Sequence, residues 1–363
     1  MNRRHFFVSL CLSLFLVSLP LAAQEEAKLP IPAPSSIPFV EEGSWTLAVI
    51  PDTQNYVKRS EYQGILELMT AWISKNAESE HIRAVLQVGD LTDRNDISSV
   101  SIVKNTDQLS PQQWEAVSHS MKRLSNVPTV IVPGNHDYGT GAETAWNRES
   151  HLSAYFPADW NPANAGHLVS LGKNFFGDET LENAAYEFPF TDGRKLLVIA
   201  LEFAPSDRAI EWAKEVVSRE TYKNAFVVIV THSYIGSQGK RVESEKYKME
   251  DANYGEQLWQ KLIFPSDNIR MVVCGHIGRK TLEGSAACSF DLNHNGERVW
   301  QLLFDAQFMG EGNGGDGWIQ LLRFSGDGKK VRVQTFSPLL NISTVTRDAA
   351  WEKSPLGEYE FEL

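Results

Sequence analysis

With 363 residues, 46 acidic side chains against 34 basic ones and a net charge of −12, the chain has room for one large domain or two ordinary ones. So acidic a chain is repelled by nucleic acid and by anionic membranes, which excludes non-specific binding to either. A small phosphorylated partner stays admissible, because cations bound locally outweigh a distant net charge.

At the N-terminus, Arg3 and Arg4 precede an apolar run from Phe6 to Leu19, then Pro20 and the small pair Ala22 and Ala23. This is the pattern of a secretory signal peptide over 1–23, and about 14 apolar residues are few for a bilayer span. An uncleaved anchor is the alternative. The expectation is a secreted or periplasmic protein with no stable membrane insertion. Its mature charge is about −14, because the two arginines leave and no acid does. Cys11 leaves as well, and Cys274, at the end of an apolar run, reads as a small buried residue rather than a disulfide partner of Cys288.

Residues 24–42 are rich in Pro, Ser and Glu and read as a flexible linker. From Trp45 onward, apolar runs alternate with helical patterns. TLAVI (46–50), a helix near 61–76, AVLQV (84–88), a helix near 111–124 and TVIV (129–132) come first. YEFPF (186–190), KLLVIAL (195–201), a helix near 207–218, AFVVIV (225–230), a helix near 254–263 and IRMVVC (269–274) follow. Such alternation predicts βαβ units and a buried, largely parallel sheet. Three more runs, 299–304, 317–324 and 331–336, follow without intervening helices and suggest a mixed sheet or a pair of sheets. The segment 138–183, weakly periodic and aromatic, reads as an insertion or cap loop over a site. The main domain is expected over 43–340, with 341–363 as a C-terminal extension packed on it.

Five polar clusters each stand directly after an apolar run, where a parallel strand ends and ligands bind in open α/β sheets. They are AVIPDTQNY with Asp52 and Gln54, LQVGDLTD with Asp90, VPGNHDY with Asn135, His136 and Asp137, VIVTHSY with His232, and VVCGHIGRK with His276. Taken singly, Asp52 is as good a helix cap, Asp90 a turn former and His232 a satisfied strand-end histidine. Together they are hard oxygen and imidazole donors without a thiolate, a set suited to one or two divalent ions of Mn, Fe, Zn or Mg. Glycine before Asp90 and before His276 lets the backbone turn tightly.

The order DxQ, GDxxD, GNHD, a lone His after an apolar strand and GHx resembles the calcineurin-like metallophosphoesterase superfamily across 45–338. The resemblance implies an α/β fold, a four-layer αββα sandwich of two mixed sheets, with 299–336 in the second sheet. It implies that Asp52, Gln54 and Asp90 hold one metal, and that Asp90, Asn135, His232 and His276 hold the other. It further implies hydrolysis of a phosphomonoester or phosphodiester by a metal-activated hydroxide, with His136 as proton donor oriented by Asp137. Asn135, His136 and Arg279 are the candidate substrate contacts.

The pattern departs from the family at two positions. Gln54 stands where many members have His, and Gly278 where the second His of GHxH would stand. Fewer than two tightly held metals are therefore expected, with Gln307 and His294 as unassigned candidates to complete the shell. A degenerate protein that binds a phosphorylated ligand without turnover is the alternative function, and a scaffold with a vestigial pocket a more remote one.

Other motifs read as structural. DLNHNGERV (291–299) is a hairpin turn rather than a calcium loop. EGNGGDG (311–317) is a flexible connection. Asp93 stabilises its loop, and His81, His119, His151 and His167 are surface residues. Trp146, Tyr155, Phe156 and Trp160 pack within the inserted segment.

Overall fold

The structure, a computed structural model, describes residues 43–190, 193–310 and 312–363. The signal-peptide and linker readings fall outside these residues. Among the described residues, fourteen strands form two seven-stranded sheets. The first contains β1 (Trp45–Ile50), β2 (Ile82–Gln87) and β3 (Thr129–Ile131). The second contains β4 (Leu168–Lys173), β5 (Glu179–Pro189), β6 (Lys195–Ala200), β7 (Phe226–Val230), β8 (Ile269–Cys274), β9 (Ala286–Leu292) and β10 (Arg298–Phe304). The chain then returns to the first sheet with β11 (Ile319–Phe324), β12 (Lys330–Phe336), β13 (Trp351–Glu352) and β14 (Glu358–Glu362).

Both sheets are mixed. In the first, the order is β13-β12-β11-β1-β2-β3 with β14 also on β12; β1–β2 and β2–β3 run parallel, β1–β11 and β11–β12 antiparallel. In the second, the order is β4-β5-β6-β7-β8-β10-β9, parallel from β6 to β10 and antiparallel outside.

Strand alternation sorts the apolar side chains into layers. On β6, Leu196, Val198 and Ala200 join Leu47, Val49 and Leu321 of the first sheet in one core, whereas Leu197 and Ile199 join a second core on the far face. Each fully buried Val, Leu or Ile contributes about 1.5–3 kcal/mol. Helices cover the outer faces. Counting from the N-terminus, α1 (Gln54–Val57), α2 (Gln63–Asn76) and α3 (Ser110–Met121) belong to the first half, with Leu66, Met69, Ile73, Trp114 and Val117 in the first core. After the single turn α4 (Leu152–Tyr155), α5 (Asp207–Val217) covers the second sheet. Ser206 caps it by accepting from the Ala209 N–H, and Ala209, Ile210, Ala213, Val216 and Val217 recur on one face, which is why this stretch is a helix and why it docks there. Among the described residues no helix is long and apolar enough to cross a membrane.

Three expectations are corrected. The strands of 299–336 do not share a sheet: β10 pairs with β8 in the second, while β11 pairs with β1 and β12 with β11 in the first. The segment 138–183 is not wholly loop. Its second half forms the β4–β5 hairpin, and Phe156 is buried with its ring edge-on to Trp160, although Trp146 is exposed. Within EGNGGDG, residues 312–317 form a packed turn rather than a flexible connection. Gly314 lies against the Tyr56 ring, Gly317 N–H donates to Tyr56 Oη at 3.0 Å, and Asn313 Nδ2 donates to Asp316 Oδ1 at 2.6 Å.

The Asn-Gly segment does close the β9–β10 hairpin, with Asn293 N–H donating to the Glu297 carbonyl. Among the described residues, Cys274 and Cys288 are free thiols; β10 runs between their strands, which separates them by about 9–10 Å, beyond disulfide reach. Beyond β12, α6 (Pro338–Ile342) leads to β13 and β14, which both pair with β12.

Candidate metal centre

The loops after β1, β2 and β3 in one sheet meet those after β7, β8 and β10 in the other. They bring together Asp52, Gln54, Asp90, Asn135, His232 and His276, five of them buried and His276 partly so. Two of the loops are held in left-handed backbone: Gly89 and Asp90 have φ of 105° and 51°, and His276 has 74°. For Asp90 and His276 that conformation is strained, and such strain persists where the surroundings over-determine it. At Gly89 only hydrogen fits, because a Cβ there would lie 2.4 Å from His232 Nδ1.

His232 Nδ1 donates to the Val88 carbonyl at 2.8 Å, which turns Nε2 inward. Around that Nε2 stand Asn135 Oδ1 at 3.1 Å, His276 Nδ1 at 3.1 Å and Asp90 Oδ1 at 3.3 Å. Donors about 2.1 Å from a shared cation lie roughly 3.0–3.4 Å apart, so these four are spaced as ligands are. Each is oriented from behind. Asn135 Nδ2 donates to Tyr247 Oη at 3.0 Å, leaving its oxygen inward, and His276 Nε2 donates to Glu245 Oε2 at 2.9 Å, leaving Nδ1 inward. Glu245 and Tyr247 lie in a charged loop without an apolar run, so no sequence pattern marks them.

The electrostatics call for positive charge. Burial, then the charge of Asp305, pushes Asp52 well above the usual carboxylate range. Burial opposes ionisation of Asp90 as well, yet the imidazoles of His232, His136 and His276 outweigh it and hold Asp90 below that range. Against burial, Asp90 and Asp52 push His232 up to about 10, so a proton sits on Nε2 where the four donors converge. A divalent ion fits there in place of the proton, and its binding would release it. A second mark of fit is Gln54. Its Nε2 donates to Asp90 Oδ2 at 2.8 Å, while its Oε1 is buried without a partner.

His136 stands at the rim, its N–H bonded to Asp90 Oδ1 at 2.9 Å. Its Nδ1 lies between the Asp93 carbonyl oxygen, an acceptor at 2.6 Å, and Arg94 Nη1, a donor at 2.8 Å, and these two contacts fix the ring through Nδ1 and leave Nε2 turned away from them. The expected Asp137–His136 contact is corrected by the structure. Asp137 accepts instead from the N–H groups of Leu91, Thr92 and Gly134 at 2.8–2.9 Å and from Thr92 Oγ1 at 3.1 Å, clamping the β2 loop to the β3 loop. The Asp93 carboxylate takes the Lys58 ammonium at 3.4 Å.

Arg279 is exposed, and its Nη1 turns back to the Gly278 carbonyl at 3.4 Å. Lys280 instead lines a cavity of about 540 Å³ with Asn55, Lys58, Arg59, Tyr62, Gln307 and Phe308. Gln307 is in the centre, donating to Asp52 Oδ2 at 3.1 Å, whereas His294 lies elsewhere, against Asp267. His81, His119, His151 and His167 are exposed or half-buried. The carboxylate that sequence reasoning missed is Asp305, fully buried at the end of β10, although it follows an apolar run just as Asp52 and Asp90 do.

A family model described as calcineurin-like phosphoesterase matches residues 46–279. The uncharacterized protein YvnB of Bacillus subtilis (strain 168) is 25% identical over 320 residues, which are 86% of this chain and 21% of that protein. The chain thus spans about a fifth of that relative's length. Among solved structures, a dimetal phosphatase from Danio rerio aligns over 81% of this chain and 96% of its own at 12% identity and a TM-score of 0.47. GAP50, described as the anchor in the inner membrane complex of Plasmodium, aligns over 88% of each chain at 11% identity and a TM-score of 0.39.

Proposed function

The chain belongs to the calcineurin-like phosphoesterase family, and from that premise we propose that it hydrolyses a small phosphomonoester or phosphodiester with His136 as proton donor. The observation that carries this reading is the convergence of Asp90, Asn135 and His276 on His232 Nε2 at 3.1–3.3 Å. Divalent cations bound by such donors polarise phosphoryl oxygens and acidify water. The chain's own part is to position and to move protons. The Asp93 carbonyl fixes the His136 ring through Nδ1, and Nε2 delivers a proton to the leaving oxygen. Arg94 beside that ring and the cavity carrying Lys58, Arg59 and Lys280 support an anionic substrate. Hydrolysis outside the cytoplasm is part of the proposal and rests on the leader pattern of residues 1–23.

The test compares nitrophenyl and alkyl phosphates, mono- and diesters, after chelation and reloading with Mn²⁺ or Zn²⁺. The expected result is cation-dependent turnover, with His136→Ala retaining its cations but losing about 10²–10⁴-fold on the alkyl esters, whose leaving groups need a proton. Unchanged alkyl-ester turnover in that variant removes His136 from the reaction. Tight phosphate binding without turnover of any ester favours the non-hydrolytic ligand binder instead.

A further inference from the structure

Gly278 leaves a space where the family pattern has an imidazole, and the structure fills it. A Cβ built on Gly278 would lie 2.5 Å from Asp305 Oδ2, so the carboxylate of the β10 end occupies the volume a side chain at 278 would take. Asp305 is buried and aimed at the centre. Gln307 Nε2 donates both to Asp305 Oδ2 at 2.9 Å and to Asp52 Oδ2 at 3.1 Å, which brings the two carboxylates within one amide group of each other.

Two buried carboxylates, Asp52 and Asp305, joined through a single amide nitrogen, repel one another unless positive charge lies between them. An independent sign of a missing partner comes from Gln54, only 3% exposed, whose Oε1 has no hydrogen-bond partner while its amide nitrogen touches Asp90. A buried carbonyl oxygen is costly to leave unpaired and is a ligand for hard cations.

We infer that Asp305 closes the first cation site in place of the absent histidine, making that site all-oxygen (Asp52, Gln54, Asp90 and Asp305) beside a second site built on two imidazoles. The inference rests on the two-cation reading of the family. The donor sets then sort the ions: carboxylate and carbonyl oxygens suit Mg²⁺ or Mn²⁺, whereas imidazole suits Zn²⁺ or Fe. Contrary to the expectation from Gly278 alone, two ions are held, and they differ.

The experiment reads binding without any ester, so it stands or falls separately from the hydrolytic activity. The protein is stripped with chelator, equilibrated with Mn²⁺ and Zn²⁺ together, passed through a desalting column and analysed for elements. The parent chain is expected to carry one ion of each kind, and Asp305→Asn to lose Mn²⁺ and keep Zn²⁺. The double variant Asp305→Ala with Gly278→His, which exchanges the carboxylate for an imidazole in the same space, is expected to regain a second ion with the preference moved to Zn²⁺. Circular dichroism melting of each variant separates ion loss from unfolding. Retention of both ions by folded Asp305→Asn, at unchanged affinity, overturns the assignment.

Discussion

Asp137 separates a positioning role from a chemical one. Its side chain accepts four hydrogen bonds from two loops and reaches no atom of His136 by hydrogen bond. Burial, then the charge of Asp90, pushes it up to about 7 against those bonds, so its removal relieves some repulsion while stranding Leu91, Thr92 and Gly134 donors. Each stranded buried donor costs about 1–3 kcal/mol. Asp137→Ala should therefore lose about 2–3 kcal/mol of stability after that relief, and His136→Ala under about 0.5 kcal/mol, measured by urea unfolding. Unchanged stability in Asp137→Ala, combined with the kinetic defect of His136→Ala, would restore Asp137 as the residue that orients the ring.

At the scale of elements, the turns between strand and loop decide whether the donors meet. Gly134 has an ordinary φ of −99°, so its requirement is space alone: a Cβ would lie 2.2 Å from Asp90 Oδ1 and 2.3 Å from Asp90 N. Gly134→Ala should force the β2 and β3 loops apart and abolish cation retention on a desalting column, with the far-ultraviolet circular dichroism of the sheets unchanged. Gly64, on α2 with nothing within 4 Å of a Cβ, is the control. Gly64→Ala should keep its cations and gain about 0.5–1 kcal/mol from helix propensity. Cations retained by Gly134→Ala would mean that the loops yield at little cost.

The same scale explains what the sequence disclosed. Strands β1, β6, β7 and β8 are covered on both faces, so each is a continuous apolar run that stands out against its surroundings. The edge strands β4 (LVSLGK) and β9 (AACSFDL) are half exposed and carry no such run. Sheet membership of β10 and β11 was not legible either, because their runs look alike and pairing is settled by distant partners. Asp52, Asp90, His232 and His276 were legible as polar residues after buried runs. Asp305 obeyed the same rule but had no counterpart in the family pattern, and Glu245 followed no run at all.

For the whole molecule, the centre lies where the two sheets meet. Asp52, Gln54, Asp90 and Asn135 follow strands of the first sheet, and His232, His276 and Asp305 follow strands of the second. The donors converge only when both sheets are in register against their shared core, so a cation held by donors from both binds the folded chain and not the unfolded one. Such a ligand adds about 2.7 kcal/mol at a hundred times its dissociation constant. For a domain of this size, where 1 kcal/mol moves the midpoint by about 2 °C, chelation should lower Tm by about 5 °C. The drop should be seen as one calorimetric transition shifting intact, because ions shared between sheets stabilise both at once. Complete removal of cations with an unmoved Tm would mean that the sheets hold their register without them, and that the centre forms on a rim already rigid.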